Sequence, residues 1–172
     1  MLLAIDTSAG TSVAVVDRET ILAERGVEDT RRHAEVIGSL IAGCLDDAGV
    51  EVGRLSGIAV GMGPRPFTGL RVGIAAANAF ALGAGKPVWR VVSHDAVAFD
   101  FFASGGDGPL VVTTDARRQE LYWSSYSGCD EFFLPIRVSG PGLLRTEALA
   151  SELADYGSYQ REDCDWVSAA SG

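Results

Sequence analysis

Short apolar runs of strand length open the chain. Leu2 to Thr7 reads as a strand that ends in Asp-Thr-Ser, and Thr11 to Asp17 reads as its hairpin partner across a turn at Ala9-Gly10. Thr20 to Glu24 supplies a third strand, so the opening is a β-meander and not a βαβ unit. The period then lengthens. Ile37, Leu40, Ile41, Cys44, Leu45 and Ala48 fall at i, i+3, i+4, i+7 and predict a helix from about Arg31 to Ala48, capped by Thr30 and stopped at Gly49. Gly57 to Val60 is a buried strand, and a Gly/Pro-rich loop carries it into a second helix, about Thr68 to Leu82.

That second helix has one face with almost no side-chain bulk: Gly69, Gly73, Ala77 and Ala81 recur every four residues. A helical glycine costs about 1 kcal/mol relative to alanine. Two here, with Gly38 and Gly43 in the first helix, call for a close contact in return, made either by packing inside the fold or by another subunit. Pro87 to Val92 is a further strand and Ser93 to about Phe102 a short helix. Ser104-Gly105-Gly106-Asp107-Gly108 is a linker and sets the expected domain boundary, 1–104 and 105–172. Beyond it Leu110 to Thr114, Glu120 to Tyr126 and Glu131 to Ile136 predict strands, and Thr146 to Leu153 a short helix. The segment from Asp155 onward is polar and weakly patterned. No repeat has a fixed period, yet each half opens on a strand ending in Asp (Asp6, Asp115) and continues into a second strand.

Composition narrows the function classes. The 172 residues can bury a sizeable core. No apolar run reaches the ~20 residues of a bilayer span, and Asp6 arrives too early for a signal peptide. A cytoplasmic protein without a membrane partner is expected. Cys44, Cys129 and Cys164 lack C-x-x-C spacing and read as reduced thiols. The net charge of −9, with six acids and one Arg after Arg145, argues against nucleic acid as a sole, direct partner.

The loop Gly61-Met62-Gly63-Pro64-Arg65-Pro66-Phe67-Thr68-Gly69 sits where a strand, a turn and a helix N-terminus often hold phosphate. It fails the P-loop pattern, since Thr68 stands where Gly-Lys is required and Lys86 is the chain's single lysine. It fails G-x-G-x-x-G because Pro66 stands at the third glycine. What remains is helix-start chemistry: Thr68 as N-cap, and Phe67 with Val72 as a hydrophobic staple.

Other candidate chemistry is sparse. Asp6, Thr7 and Ser8 could hold a phosphate or hydrated metal, or form an ordinary Asx and Ser/Thr turn. Asp115 beside Arg117 and Arg118 is either a second strand-end acid or a solvated turn. His33 and His94 lack metal-ligand spacing and read as polar helix-start residues. Ser93, His94 and Asp95 spell a triad but are adjacent, and triad members converge from different segments. No G-x-S-x-G elbow exists, and no cysteine has an evident base.

The ordered set I-D-T-S, S-V-A-V-V, R-H-A-E-x-I, P-F-T-G-L-R-V-G, V-S-H-D-A and D-A-R-R-x-E-L-Y-W closely resembles the bacterial TsaB (YeaZ) family over roughly residues 1 to 150. The resemblance implies an α/β ASKHA fold, two small actin- and Hsp70-like lobes with mixed sheets. It implies a non-catalytic scaffold subunit in the synthesis of tRNA N6-threonylcarbamoyladenosine, 3′ to the anticodon. The partners implied are the catalytic paralogue TsaD and the ATPase TsaE, with tRNA met only through the complex. It places a helical-bundle interface, also used for homodimers, on the first two helices, here Ala34, Ile37, Ile41, Leu45, Gly69, Leu70, Gly73, Ala77 and Ala81. No catalytic or metal residue is expected, and Asp6, Ser8 and Asp115 are the weak cofactor candidates. The chain alone is expected to bind no cofactor, with ATP and magnesium entering at the level of the complex.

The chain departs from the family pattern at Arg65 and Gln119, each in place of a glycine; if the glycine that Arg65 replaces takes a positive φ, Arg65 stores strain or shifts the turn. The family's final helix is expected to begin near Val167-Ser168-Ala169-Ala170. Two other classes stay open: an ASKHA-type nucleotide hydrolase or kinase built on Asp6 and Asp115, and a homodimeric regulatory protein.

Overall fold

The computed structural model describes residues 1–28, 33–65, 67–148, 151 and 165–168. They divide into two compact units, Met1–Ser93 and His94–Gly172.

In the first unit, β1 (Leu2–Asp6), β2 (Thr11–Asp17) and β3 (Thr20–Val27) form the predicted meander. Helix α1 (His33–Ala48) then crosses to β4 (Gly57–Gly61), and α2 (Phe67–Ala84) crosses to β5 (Val88–Val91). The five-stranded order is β3-β2-β1-β4-β5, with β1, β4 and β5 parallel. Strand alternation sends Leu3, Ile5, Val13, Val15, Ile58 and Val60 to one face, where they form a single core with Ile37, Ile41 and Leu45 of α1 and Ala77 and Ala81 of α2. The expected cap Thr30 lies outside the described residues. Helix α2 starts at Phe67, so Thr68 stands inside the first turn; the side chains of Phe67 and Thr68 lie outside the described residues.

The second unit begins with α3 (Ser93–Ala103), of which all but Ser93 falls past the boundary. The expected boundary at the 104–108 linker lies later than this, because Ala98 and Phe102 pack on Leu110, Val112 and Tyr126 and so hold α3 to the strands C-terminal to it. Strands β6 (Leu110–Arg117), β7 (Glu120–Cys129), β8 (Pro135–Arg145) and β9 (Asp165–Ser168) are ordered β8-β7-β6-β9, with β9 parallel to β6. This repeats the β3-β2-β1-β4 order of the first unit, and the coarse echo in the sequence is thereby a repeated topology.

One strand expectation and two helix expectations are corrected. Glu131 to Leu134 is a tight turn, closed by Asp130 Oδ1, which accepts from the N–H of Phe132 and of Leu134, both at 2.9 Å. The strand begins only at Pro135. Residues 165–168 pair with β6 as a strand, where a helix start was expected at Val167. The expected helix from Thr146 is a 3-10 turn at Thr146–Ala148, and the rest of that prediction lies outside the described residues apart from Ser151. Among the described residues no helix is long and apolar enough to cross a membrane.

Candidate functional site

The polar residues of the first unit gather at the C-terminal ends of β1 and β4. Asp6 Oδ1 accepts the backbone N–H of Ser8 at 2.5 Å and also the Ser8 hydroxyl. Its Oδ2 accepts the Ser93 hydroxyl at 2.6 Å. Ser93 is fixed in turn: its Oγ accepts from Gly63 N–H at 3.2 Å, and its own N–H donates to the Gly63 carbonyl at 2.7 Å. A Cβ on Gly61 would stand 1.7 Å from Asp6 Oδ2, so only glycine lets the β4 backbone lie against the carboxylate. Asp6 is thus a clasp between the β1 turn, the loop after β4 and the residue that opens α3.

Thr7 and Arg65 complete the clasp. The buried Thr7 hydroxyl donates to the Gly69 carbonyl at 3.0 Å, and Arg65 Nη1 donates to the Thr7 carbonyl. Arg65 is not among the residues with positive φ, so the expected strain there is absent and its guanidinium reaches back to the β1 turn. His33, the first residue of α1, is buried, with Nδ1 2.6 Å from Thr11 Oγ1. Sequence reasoning marked Asp6, Thr7 and Ser8 but missed Ser93 as the partner of Asp6. The signal in hand was the V-S-H-D segment, whose serine precedes a helix.

Three donors occupy the Asp6 carboxylate, which offers about four lone-pair sites. Among the described residues no three His, Cys, Asp or Glu side chains gather to hold a metal.

Of the three residues that spell a triad, Ser93 bonds to Asp6 in the first unit, while His94 and Asp95 bond within the second. His94 is buried, with Nδ1 2.9 Å from Ser124 Oγ and Nε2 3.0 Å from Thr114 Oγ1. Burial, helped by the Arg137 charge, pushes its pKa down to about 4, so the ring is neutral near pH 7. Asp95 accepts from Tyr126 Oη at 2.9 Å and pairs with Arg137 at 3.1 Å. Burial foremost, with the Asp95 charge, raises the Tyr126 phenol above its ordinary range. This network ties α3 to β6, β7 and β8. Asp115 is exposed, and its Oδ1 accepts the N–H of Arg117 at 2.9 Å, the solvated-turn geometry. Arg117, Arg118 and Gln119 all take positive φ, at 67°, 55° and 63°, so Gln119 stands in the left-handed region that favours glycine.

Most of the positions expected at a partner interface pack inside the first unit, although Ile41 and Leu45 also line an open cavity. Ile37, Ile41, Leu45, Gly69, Gly73, Ala77 and Ala81 are buried in the first unit's own core. A Cβ on Gly73 would stand 2.4 Å from Thr7 Oγ1, and one on Gly69 2.8 Å from His33 Nε2. The small-residue face therefore lets α2 lie close on β1 and α1. Ala34 is exposed and Leu70 half-buried. The outward face of the pair is a different set: Gly38 and Ala42 on α1; Ala75, Ala79 and Leu82 on α2. A cavity of about 720 Å³ lies beside α1, lined by Gly38, Ile41, Ala42 and Leu45 with Phe80 of α2.

Neither described cysteine takes part in these clusters. Cys44 is buried between the Val13 and Ala23 carbonyls, and burial raises its thiol pKa. Cys129 is a free thiol, and Cys164 lies outside the described residues.

Comparisons with known proteins agree on one family. The sequence profile described as "TsaD: tRNA N6-adenosine threonylcarbamoyltransferase" matches residues 20–133. An uncharacterized protein of Mycobacterium tuberculosis is 40% identical over 147 residues, which is 83% of this chain and 64% of that protein. The Escherichia coli "tRNA threonylcarbamoyladenosine biosynthesis protein TsaB" is 32% identical over 126 residues, 73% of this chain and 54% of that one. The chain thus spans somewhat over half the length of these relatives. YeaZ from Pseudomonas aeruginosa superposes with a TM-score of 0.74 at 28% identity, over 86% of this chain and 68% of that one. A ROK hexokinase from Thermus thermophilus, with a TM-score of 0.50 at 17% identity over 81% of this chain and 48% of that one, shares the fold alone, the ASKHA fold that the sequence led us to expect. The chain belongs to the TsaD/YeaZ family and, within it, is similar to the TsaB proteins.

Proposed function

We propose that this chain is a non-catalytic scaffold subunit for the synthesis of N6-threonylcarbamoyladenosine in tRNA. It docks on a TsaD-type catalytic paralogue through the outward faces of α1 and α2, with a TsaE-type ATPase joining the complex. It meets tRNA and ATP only as part of that assembly. The observation that carries this reading is the engagement of Asp6: the strand-end carboxylate that a hydrolase or kinase would turn to a metal-bound phosphate is held by Ser8 and Ser93. Similarity to proteins named for threonylcarbamoyladenosine biosynthesis supplies the pathway.

The test is gel filtration of the chain with the TsaD-type paralogue of the same organism. A shared peak is expected. Separate peaks with and without the TsaE-type protein, ATP and magnesium would sink the reading. Calorimetry with Mg·ATP on the isolated chain should give no heat. Binding that Asp6→Ala weakens, with folding intact, would instead establish a nucleotide enzyme.

A further inference from the structure

The connection between α3 and β6 holds the chain's single Asp-Gly pair, Asp107-Gly108. Asp107 is exposed, and the pair lies outside every helix and strand. Its geometry differs from that of the other turn aspartates. Asp6, Asp115 and Asp130 each turn Oδ1 to the N–H of the residue two further on, Ser8, Arg117 and Phe132. Asp107 turns Oδ1 to the N–H of the very next residue, with Gly108 N at 2.8 Å. The carboxyl carbon lies one bond beyond that oxygen. The main-chain nitrogen that follows an aspartate is the nucleophile that closes a succinimide ring on this carbon, so the two reacting groups are already in contact.

Gly108 leaves that nitrogen open. It has no Cβ to screen it, and its φ of 81° lies where glycine moves freely. The Asp-Ala pairs, Asp47-Ala48, Asp95-Ala96 and Asp115-Ala116, carry the extra methyl and are held in α1, α3 and β6. The connection is anchored at both ends. Gly106 N–H donates to the Phe101 carbonyl at 3.0 Å, and a Cβ on Gly106 would stand 2.4 Å from the Phe101 ring. Leu110 is buried in one cluster with Phe102.

We propose that Asp107-Gly108 is a site of spontaneous isoaspartate formation, and that the product is a substrate for a carboxyl methyltransferase with a sulfonium methyl donor. In the first step the bond from Gly108 N to Asp107 Cγ forms and a Cγ–O bond breaks. The oxygen leaves as water, taking the amide proton and the carboxyl proton. Water then adds to the main-chain carbonyl carbon of Asp107 and breaks its bond to Gly108 N. The chain now runs through Cγ and is one methylene longer, and the former main-chain carbonyl has become a free α-carboxylate. One water is lost and one gained, so the mass is unchanged and no oxidant or reductant takes part. The α-carboxylate is the group the methyltransferase esterifies. The added methylene falls between Gly106 and Leu110, the two anchored ends.

The test ages the folded chain in warm neutral buffer beside a synthetic peptide of residues 104–110. Isoaspartate is read by methyl transfer from labelled S-adenosylmethionine with a purified isoaspartyl methyltransferase. It is located with a protease that cuts before aspartate but not before isoaspartate. Circular dichroism establishes that the aged chain and its variant stay folded. The folded chain should form isoaspartate at position 107 at least as fast as the peptide does. Asp107→Glu, which keeps the charge but would need a larger ring, should lose the signal. Formation several times slower than in the peptide would mean that the fold protects the pair, and the proposal would be overturned. A signal that Asp107→Glu retains, or one spread evenly over the other aspartates, would overturn it as well.

Discussion

His94 makes the stability of the second unit depend on pH in a way that can be worked out beforehand. The ring is buried, bonded to Ser124 and Thr114, and its folded pKa is about 4 against 6.5 for a free histidine. A histidine with a depressed folded pKa binds its proton more readily in the unfolded chain. Its contribution is therefore complete above pH 6.5 and is lost as pH falls from 6.5 toward 4. The full gap, at about 1.4 kcal/mol per pH unit, is about 3 kcal/mol. Between about pH 7.5 and pH 5, where the folded ring is still mostly neutral, linkage gives a loss of about 2 kcal/mol. Urea unfolding monitored through the β6 and β7 amide signals reports on this unit. His94→Gln keeps a donor and an acceptor but does not titrate, so comparing the two proteins at both pH values cancels His33 and the carboxylates. The wild type should lose about 2 kcal/mol more than His94→Gln. Equal losses, or a His94 ring signal that titrates near 6.5, would refute a buried, neutral histidine.

The packing sets three further outcomes. Ala77→Arg places a charge at a fully buried site and should unfold the first unit, whereas Ala75→Arg on the outward face of α2 should leave the circular dichroism spectrum unchanged. Gly73→Ala should cost about 1–3 kcal/mol through its clash with Thr7, while Gly83→Ala, with open space around it, should gain up to about 1 kcal/mol; denaturant melts decide both. Gln119→Gly should relieve the left-handed turn and raise stability by about 1 kcal/mol; a lower melting temperature would mean that the turn is not strained at that residue.

The sequence showed elements whose signal is local. Strand β2 falls at Thr11–Asp17 as its alternation predicts, and α1 ends at Ala48 before Gly49. It misled where a local signal was overruled by a bond to a neighbour. Phe132-Phe133-Leu134 has the composition of a strand, but the Asp130 carboxylate curls it into a turn with Phe133 at φ 61°. Remote pairing escaped it: residues 165–168, expected to open a helix, pair with β6 instead, and nothing local marked Ser93 as the partner of Asp6. The small face of α2 is the instructive case. An i, i+4 run of Gly and Ala says that something comes close and leaves open what it is. Here Thr7 and His33 come close, so the surface left for a partner lies on the other side of the helix.

The repeated topology bears on what the two strand-end acids do. Asp6 and Asp115 occupy corresponding places, at the end of the first strand of a β3-β2-β1-β4 pattern and of its β8-β7-β6-β9 copy. In both, Oδ1 accepts the backbone N–H of the residue two further on, Ser8 at 2.5 Å and Arg117 at 2.9 Å. That bond is the Asx turn, and it shapes the hairpin whether or not a ligand is present. The copies differ in the second oxygen. Oδ2 of Asp6 takes the Ser93 hydroxyl, whereas Asp115 stays exposed. Turn formation is thus the role the two acids share, and the one that has acquired more has turned toward its own fold. If Asp6 is a clasp, Ser93→Ala and Asp6→Asn should each lower the melting temperature of the first unit, and the double variant should cost less than their sum, because both remove the same bond. Additive losses would mean that the two side chains act separately and that the Asp6 carboxylate is free for other work.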